Sequence, residues 1–386
     1  MDPSQRPPGD VTIVAHEIHR RGGQERVTAE LVEDLLARGW RVTVIARRCD
    51  LAPHERLRIL GVPGPRRPAL AGYLWFAIAG GIVTARSRRG VLHVNGIVVP
   101  NRADVATVHF CHRAFEGVKR AHGFRRSSRR TRLFRLNEVL ASAVFRFAER
   151  ALYRPGRRRE LVAVSAGLAT ELEAHFPGMR GAISAIPNGV DPLAFRPDAD
   201  TRSAVRRELG LTATQLVALF VGGDWERKGL RQAIEALADA PDWQLVVVGP
   251  GDFDAYAAIA ASLGVDDRVI FAGPSGHVDR FYAAADAFVL PTAYETSCLV
   301  AIEAAAAGVP IVVTSVNGFP QQLRNGVDGF VVARDAGSIA SSLNDLREPQ
   351  RRAAVAGAAH QLAKTATWDA AADAYASLYA GLDAAA

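Results

Sequence analysis

The chain has 386 residues, 49% of them hydrophobic and 7% aromatic, with a formal net charge of +7. That length exceeds what one hydrophobic core ordinarily supports, so two domains are expected. Three cysteines, Cys49, Cys111 and Cys298, have neither metal-ligand spacing nor even pairing and read as reduced thiols. The opening MDPSQRPPGD is polar and Pro-rich without an apolar core, so no secretory signal and a cytoplasmic location are expected.

Apolar β-rich runs at Val11 to Ala15, Val42 to Ala46, Val91 to Val94, Val105 to Phe110, Leu161 to Val164 and Ile183 to Ile186 alternate with helical-length segments. The rhythm restarts at Leu216 to Val221, Leu245 to Val248, Val269 to Phe271, Ala287 to Leu290, Ile311 to Val313 and Gly329 to Val332. Continuous Val/Ile/Leu runs separated by helices indicate parallel sheets covered on both faces, and two such sets indicate two Rossmann-like domains.

Within the first set, Gly22 and Gly23 follow the first strand and precede an amphipathic helix, where glycines allow a close backbone approach to a phosphate. Residues 69 to 85, ALAGYLWFAIAGGIVTA, are uncharged and near the minimum for a membrane span of about 17 residues, but three glycines favour a buried helix. His109 stands at the end of a strand, with His112 a competing candidate. Residues 125 to 159 mix arginines with Leu133, Phe134, Leu136, Val139, Leu140, Val144, Phe145 and Phe147 at helical spacing. Such a surface suits an anionic membrane or an anionic acceptor, and equally a solvated face. No fold signature for nucleic acid accompanies it.

The turn-rich PNGVDPLAFRP, residues 187 to 197, can continue neither sheet and marks the boundary. Beyond it, VGGDWERKGL places Arg227 and Lys228 just after the second domain's first strand, a fork and a point charge suited to a diphosphate. Gly249 lies in the turn of Gly249-Pro250-Gly251, and Asp252 and Asp254 read as acids opening a helix, not as metal ligands. Next, PTAYETSCLVAIEAAAAGVPIVV, residues 291 to 313, leads from a strand through a turn into an Ala-rich helix ending at Gly308, with Thr296 or Ser297 as cap. The amides of residues 297 to 300, including Cys298, Leu299 and Val300, then form an anion seat at the positive end of the helix dipole. Glu303 can accept hydrogen bonds from the vicinal hydroxyls of a ribose, and Glu295 can meet the other end of the ligand.

An acidic residue, seven residues, a second Glu and an Ala-rich helix ending Gly-x-Pro resemble the diagnostic motif of the retaining glycosyltransferases of family 4, which have the GT-B fold. The resemblance implies that Glu295 contacts the donor sugar, Glu303 the nucleotide ribose, and the intervening amides the diphosphate. Gly22 and Gly23 match a pair that the family places beside the donor diphosphate, and His109 matches a His near the reacting carbon. Arg227-Lys228-Gly229 is similar to the motif of lipopolysaccharide core glucosyltransferase-like members. Many members have Arg five residues before the Lys, where this chain has Gly223, so Arg227 is expected to supply that charge. Thr296-Ser297-Cys298-Leu299 departs from the aromatic or Gly found there in many members, which affects the sugar pocket. Asn188-Gly189-Val190-Asp191 resembles the lead into the second domain, and residues 367 to 382 the last helix that returns to the first.

The expectation is therefore an α/β GT-B protein with an acceptor-binding domain at 1–190, a nucleotide-sugar domain at 191–366 and a returning helix at 367–386. It would move a hexose from a nucleoside-diphosphate sugar, UDP-sugar favoured, to a hydroxyl of a glycan, lipid-linked or small-molecule acceptor. No cofactor and no metal are expected, because amides and the basic pair take the metal's role in such enzymes. Retention is implied by the resemblance alone. A sugar-nucleotide epimerase and a non-catalytic sugar-nucleotide-binding or membrane-adaptor protein are the alternatives.

Overall fold

A computed structural model describes residues 9–65, 68–124, 132–195 and 198–383. Arg125, Arg126, Arg129 and Arg130 of the basic segment lie outside them. The chain divides into two compact units, one of Met1–Gly117, Arg126–Asn188 and Trp368–Ala386, the other of Val118–Arg125 and Gly189–Thr367.

The first unit holds strands β1 (Asp10–Ile18), β2 (Arg41–Cys49), β3 (Leu57–Gly61), β4 (Val91–Asn95), β5 (Ala103–Val108), β6 (Arg158–Ala163) and β7 (Ile183–Ala185). They form a parallel sheet in the order β3-β2-β1-β4-β5-β6-β7. Successive residues of a strand point to opposite faces. Val11, Ile13 and Ala15 accordingly enter one core with Val42, Val44 and Val105, whereas Val14 enters another with Ile45, Leu92 and Ala106. Both faces are thus buried, as the unbroken apolar runs require.

Strand β3 is absent from the sequence expectation. It is an edge strand whose Ile59 is 41% exposed, so it carries neither a continuous apolar run nor clean alternation. Four helices of this unit matter below: α1 (Gln24–Ala37), α2 (Ala69–Ser87), α3 (His112–His122) and α4 (Arg132–Leu152). Helix α2 corrects an expectation. Only Gly72, Phe76, Gly80, Gly81 and Thr84 are buried, because Gly72, Gly80 and Gly81 let one edge lie close to the sheet while the other edge remains in solvent.

The C-terminal helix Trp368–Asp383 packs against α1 and β4 of this first unit. A buried polar chain fastens it: the Tyr379 hydroxyl meets His93 Nδ1 at 2.6 Å, His93 Nε2 meets Thr107 Oγ1 at 2.7 Å, and Thr107 Oγ1 meets the Tyr375 hydroxyl at 2.7 Å.

The second unit holds β8 (Leu216–Val221), β9 (Trp243–Val248), β10 (Val269–Gly273), β11 (Ala287–Leu290), β12 (Ile311–Thr314) and β13 (Phe330–Val332). Their parallel order is β10-β9-β8-β11-β12-β13, so the winding reverses between β8 and β11. Asp286, which accepts from Arg202, Arg206 and the Val217 amide, sets the start of β11 against β8.

Burial, and secondarily the charge of His109, hold His93 neutral down to about 3. The unfolded chain, with an ordinary histidine near 6.5, therefore binds the extra proton between those values, and stability falls as pH drops through that window. Urea unfolding of the wild type should lose about 1.4 kcal/mol per pH unit below pH 6 relative to His93→Gln. Parallel pH profiles for the two proteins would contradict the buried neutral histidine.

Candidate functional site

In an open parallel sheet, ligands bind beyond the carboxyl ends of the strands where the winding reverses. In the second unit that point is occupied by the segments following β8 and β11. After β8, Gly222 and Gly223 lead to Asp224 and a single helical turn, Trp225–Lys228, closed by Gly229. Arg227 and Lys228 emerge from this turn. Lys228 folds back over Gly222, whose missing β-carbon would stand 2.5 Å from its Nζ and whose φ of +135 is one that side-chain-bearing residues rarely adopt.

The segment after β11 meets this turn directly. Arg227 Nη1 donates to Glu295 Oε1 at 3.1 Å and to the Tyr294 carbonyl, while its Nε donates to Asp224 Oδ2 at 2.8 Å. Lys228 Nζ lies 3.5 Å from the same Glu295 oxygen. Burial works against the charge of Arg227, but Glu295 and Asp224 outweigh it and raise its pKa. Two adjacent cations are thereby held together by one half-buried carboxylate.

The helix that follows runs from Leu299 to Ala306, with Cys298 as its N-cap. Thr296 and Ser297 were the expected caps, and here the structure corrects the sequence reading. Cys298 takes φ +58, the left-handed region, and no side-chain cap bond is made. The chain turns at Cys298 because the Ser297 carbonyl is taken by the Phe319 amide at 3.1 Å, with Gly318 pressed against it. Leu299 and Val300 occupy the first turn, where an α-helix supplies no carbonyl partner for its own amides. The Cys298 thiol is pushed up by burial first and by Glu295 second, against the opposing pull of Lys228 and Arg227.

Glu303 lies inside the same helix, nearly fully buried, and its Oε2 accepts from the Tyr282 hydroxyl at 3.0 Å. Tyr282 also donates to the Val300 carbonyl at 3.0 Å, so it fixes the glutamate against the first turn. Gly249, at φ +132, brings its backbone against Gly222, since a β-carbon there would lie 2.5 Å from the Gly222 carbonyl oxygen. Asp252 accepts from the Ala255 amide at 3.4 Å and caps the helix Phe253–Ser262.

Sequence reasoning missed three supports. Tyr282 has no motif around it. Arg334, beyond β13, donates to the Pro291 carbonyl at 3.0 Å and the Glu226 carbonyl at 2.6 Å, tying the two site segments to each other. Trp225 donates to the Gly222 carbonyl at 2.9 Å and packs on Gly251. Its place three residues before Lys228, between glycines and a charge pair, was the available signal.

Gly22, Gly23 and His109 belong to the first unit. Gly22, at φ +90, and Gly23, the N-cap of α1, follow β1. His109 follows β5 directly, and burial lowers its pKa to about 4, so it is neutral at physiological pH. His112 opens α3, and its amide and that of Arg113 donate to Glu149 at 2.7 and 3.2 Å. Burial raises Glu149 to about 7 despite these donors. A cavity of about 490 Å³ lined by Glu17, Arg47, Arg48, Pro63 and Gly64 lies at the carboxyl ends of β1, β2 and β3.

The family models that match are Glycosyltransferase Family 4 over residues 21–192 and glycosyl transferases group 1 over residues 201–363. The chain is 35% identical over 237 residues to a D-inositol 3-phosphate glycosyltransferase of Streptomyces avermitilis, covering 57% of this chain and 51% of that protein. It is 34% identical over 230 residues to the protein of the same name from Rhodococcus jostii, covering 55% and 50%. The chain thus spans about half the length of these curated relatives. Among solved structures it resembles WaaG, a glycosyltransferase involved in lipopolysaccharide biosynthesis, with a TM-score of 0.76, 23% identity and coverage of 95% and 98%. It also resembles Anabaena HepE in complex with UDP and glucose, with a TM-score of 0.70, 18% identity and coverage of 96% and 98%.

Gly229 is the hinge of the site geometry. At φ +83, a β-carbon there would stand 2.2 Å from the Pro291 carbonyl oxygen. Gly229→Ala should therefore cost more than the about 1–2 kcal/mol of a left-handed alanine and displace the Glu295 segment. Urea unfolding checks this, and a midpoint equal to wild type would show that the two segments do not meet so closely.

Proposed function

Because the chain belongs to family 4 of the GT-B glycosyltransferases, we propose that it is a retaining, metal-independent hexosyltransferase using a nucleoside-diphosphate sugar, with a UDP-sugar favoured. The observation that carries this reading is the convergence of Arg227, Lys228 and Glu295 on the start of the helix that holds Glu303. An anionic diphosphate has two cations and a helix N-terminus to meet, and a ribose has a buried carboxylate within the same helix.

In this reading the bond between the sugar's anomeric carbon and the diphosphate oxygen breaks as the acceptor hydroxyl bonds to that carbon from the same face. The hydroxyl proton passes to the departing diphosphate. Lys228 and Arg227 offset the negative charge that grows on the leaving oxygen, which is the stabilisation most specific to the transition state. Glu295, half-buried between the two cations, orients them and contacts the sugar. His109, neutral, contributes hydrogen bonding near the reacting carbon. Gly22, Gly23, Gly249, Cys298, Leu299 and Val300 contribute backbone approach to the donor.

The acceptor is a hydroxyl on a glycan, a lipid-linked or a small molecule. The Streptomyces and Rhodococcus relatives are named for D-inositol 3-phosphate, which makes a phosphorylated polyol a first acceptor to assay. Residues 125 to 159 are proposed to face an anionic membrane or acceptor, with the protein cytoplasmic and peripheral.

Lys228→Ala should lower turnover about a hundredfold or more, with the fold intact by circular dichroism, because a single preorganised charge on a leaving group contributes that much. Turnover of a UDP-sugar within a few-fold of wild type would show that the diphosphate departs elsewhere.

A further inference from the structure

Among the described residues thirteen large apolar side chains stand exposed, and eight of them lie on α2 and α4. On α2 these are Tyr73, Leu74, Trp75, Ile78 and Ile82, and Ile78 is 65% exposed. Leu74, Ile78 and Ile82 are four residues apart and form one stripe, opposite the edge that Gly72, Phe76, Gly80 and Thr84 bury. On α4 the exposed members are Val139, Leu140 and Phe147, the last 73% exposed. The rings of Tyr73 and Phe145 meet at 5.1 Å, so α2 and α4 touch near the start of α2.

Charge decides what covers this face. Helix α2 contains no acidic residue and carries Arg86 in its last turn, with Arg88, paired with Asp104 at 3.1 Å, and Arg89 exposed just beyond it. Arg150, three residues after Phe147 on α4, is exposed, as are Arg154 and Arg157. A second copy of the chain would bring cations of the same sign to the contact, whereas an anionic lipid surface complements them. Helix α2 is long and apolar enough to cross a bilayer, but its inner edge packs on the sheet, so the geometry is that of a helix lying in the interface.

We propose that the outer face of α2 docks on an anionic lipid bilayer, with Leu74, Trp75, Ile78 and Ile82 inserted among the acyl chains. This deepens the anionic-surface reading above and names a different element for it. Trp75 is fixed for the task, since its indole N–H donates to the Pro63 carbonyl at 2.9 Å. Pro63 and Gly64 also line the polar cavity with Glu17, Arg47 and Arg48, so the apolar face and that cavity share a wall.

The test is sedimentation of the full chain with vesicles of equal parts phosphatidylcholine and phosphatidylglycerol. Wild type should bind these and not phosphatidylcholine alone. Leu74→Ser, Ile78→Ser and Ile82→Ser combined should weaken binding at least about tenfold, since membrane affinity scales with the apolar area inserted. UDP affinity should not change. Independently of that variant, lipid brominated on its acyl chains should quench wild-type fluorescence, and Trp75→Phe should remove most of the quenching. Undiminished binding by the serine variant would overturn the proposal and leave the basic segment as the docking element. Absence of wild-type binding to the anionic vesicles would remove both. A wild-type dimer that the serine substitutions convert to monomer in sedimentation velocity would assign the face to a second copy and also overturn it.

Discussion

Two cations adjacent in sequence, Arg227 and Lys228, are held at the end of β8 by one carboxylate, Glu295, that arrives from the end of β11. Like charges this close do not stay together without a counter-charge, and the partial burial of all three makes the interaction stronger than a surface ion pair. The pairing fixes the position of both loop segments. Arg334 bonds to the carbonyls of Pro291 and Glu226, and the Gly229 backbone fits under the Pro291 carbonyl, so the segments are also locked through their main chains. The result is a pair of cations held by two carboxylates, Glu295 and Asp224, beside a helix start. Preorganisation of this kind is what makes electrostatic stabilisation of a leaving group effective.

The backbone around that centre has unusual torsions where it serves the site. Among the described residues Asp224 and Cys298 are the non-glycine residues with positive φ, and each is the N-cap of one of the two helical segments that the site uses. A left-handed conformation costs such residues about 1–2 kcal/mol, and strain of this size persists where the surroundings over-determine it. Here the surroundings are the Phe319–Ser297 bond for Cys298 and the Arg227 guanidinium for Asp224. The first unit shows the complementary pattern, with histidines 93 and 109 kept neutral by burial.

Most of the architecture was legible because parallel strands buried on both faces leave unbroken Val/Ile/Leu runs. The expected run Val11 to Ala15 falls inside β1, and Val42 to Ala46 inside β2, yet both strands extend three residues further. Those extensions contain the polar residues His16, Glu17, Arg47 and Arg48, and the last three line the cavity at the carboxyl ends of the strands. A hydrophobic-run reading stops there of necessity. Edge strand β3 escaped for the related reason that half of it faces solvent. Helix α2 misled in the opposite direction, since composition alone does not tell which edge of an apolar helix is covered. In the site, residue types and order revealed the Arg227, Lys228, Glu295 and Glu303 set, whereas Tyr282 and Arg334 come from distant strands and helices that only the fold brings in. The cap moved from the expected Thr296 or Ser297 to Cys298 because the tertiary bond from Phe319 to Ser297 outcompetes local capping preference.

The central claim is that this charged centre seats a nucleoside diphosphate through its phosphates. Calorimetric titration of the protein with UDP and with uridine tests it most directly. The account predicts that UDP binds at least about tenfold more tightly, because charge-assisted hydrogen bonds to phosphate contribute about 1.5–3 kcal/mol each, and that raising salt weakens UDP while leaving uridine unchanged. Equal affinity for the two, or a UDP affinity indifferent to salt, would contradict it.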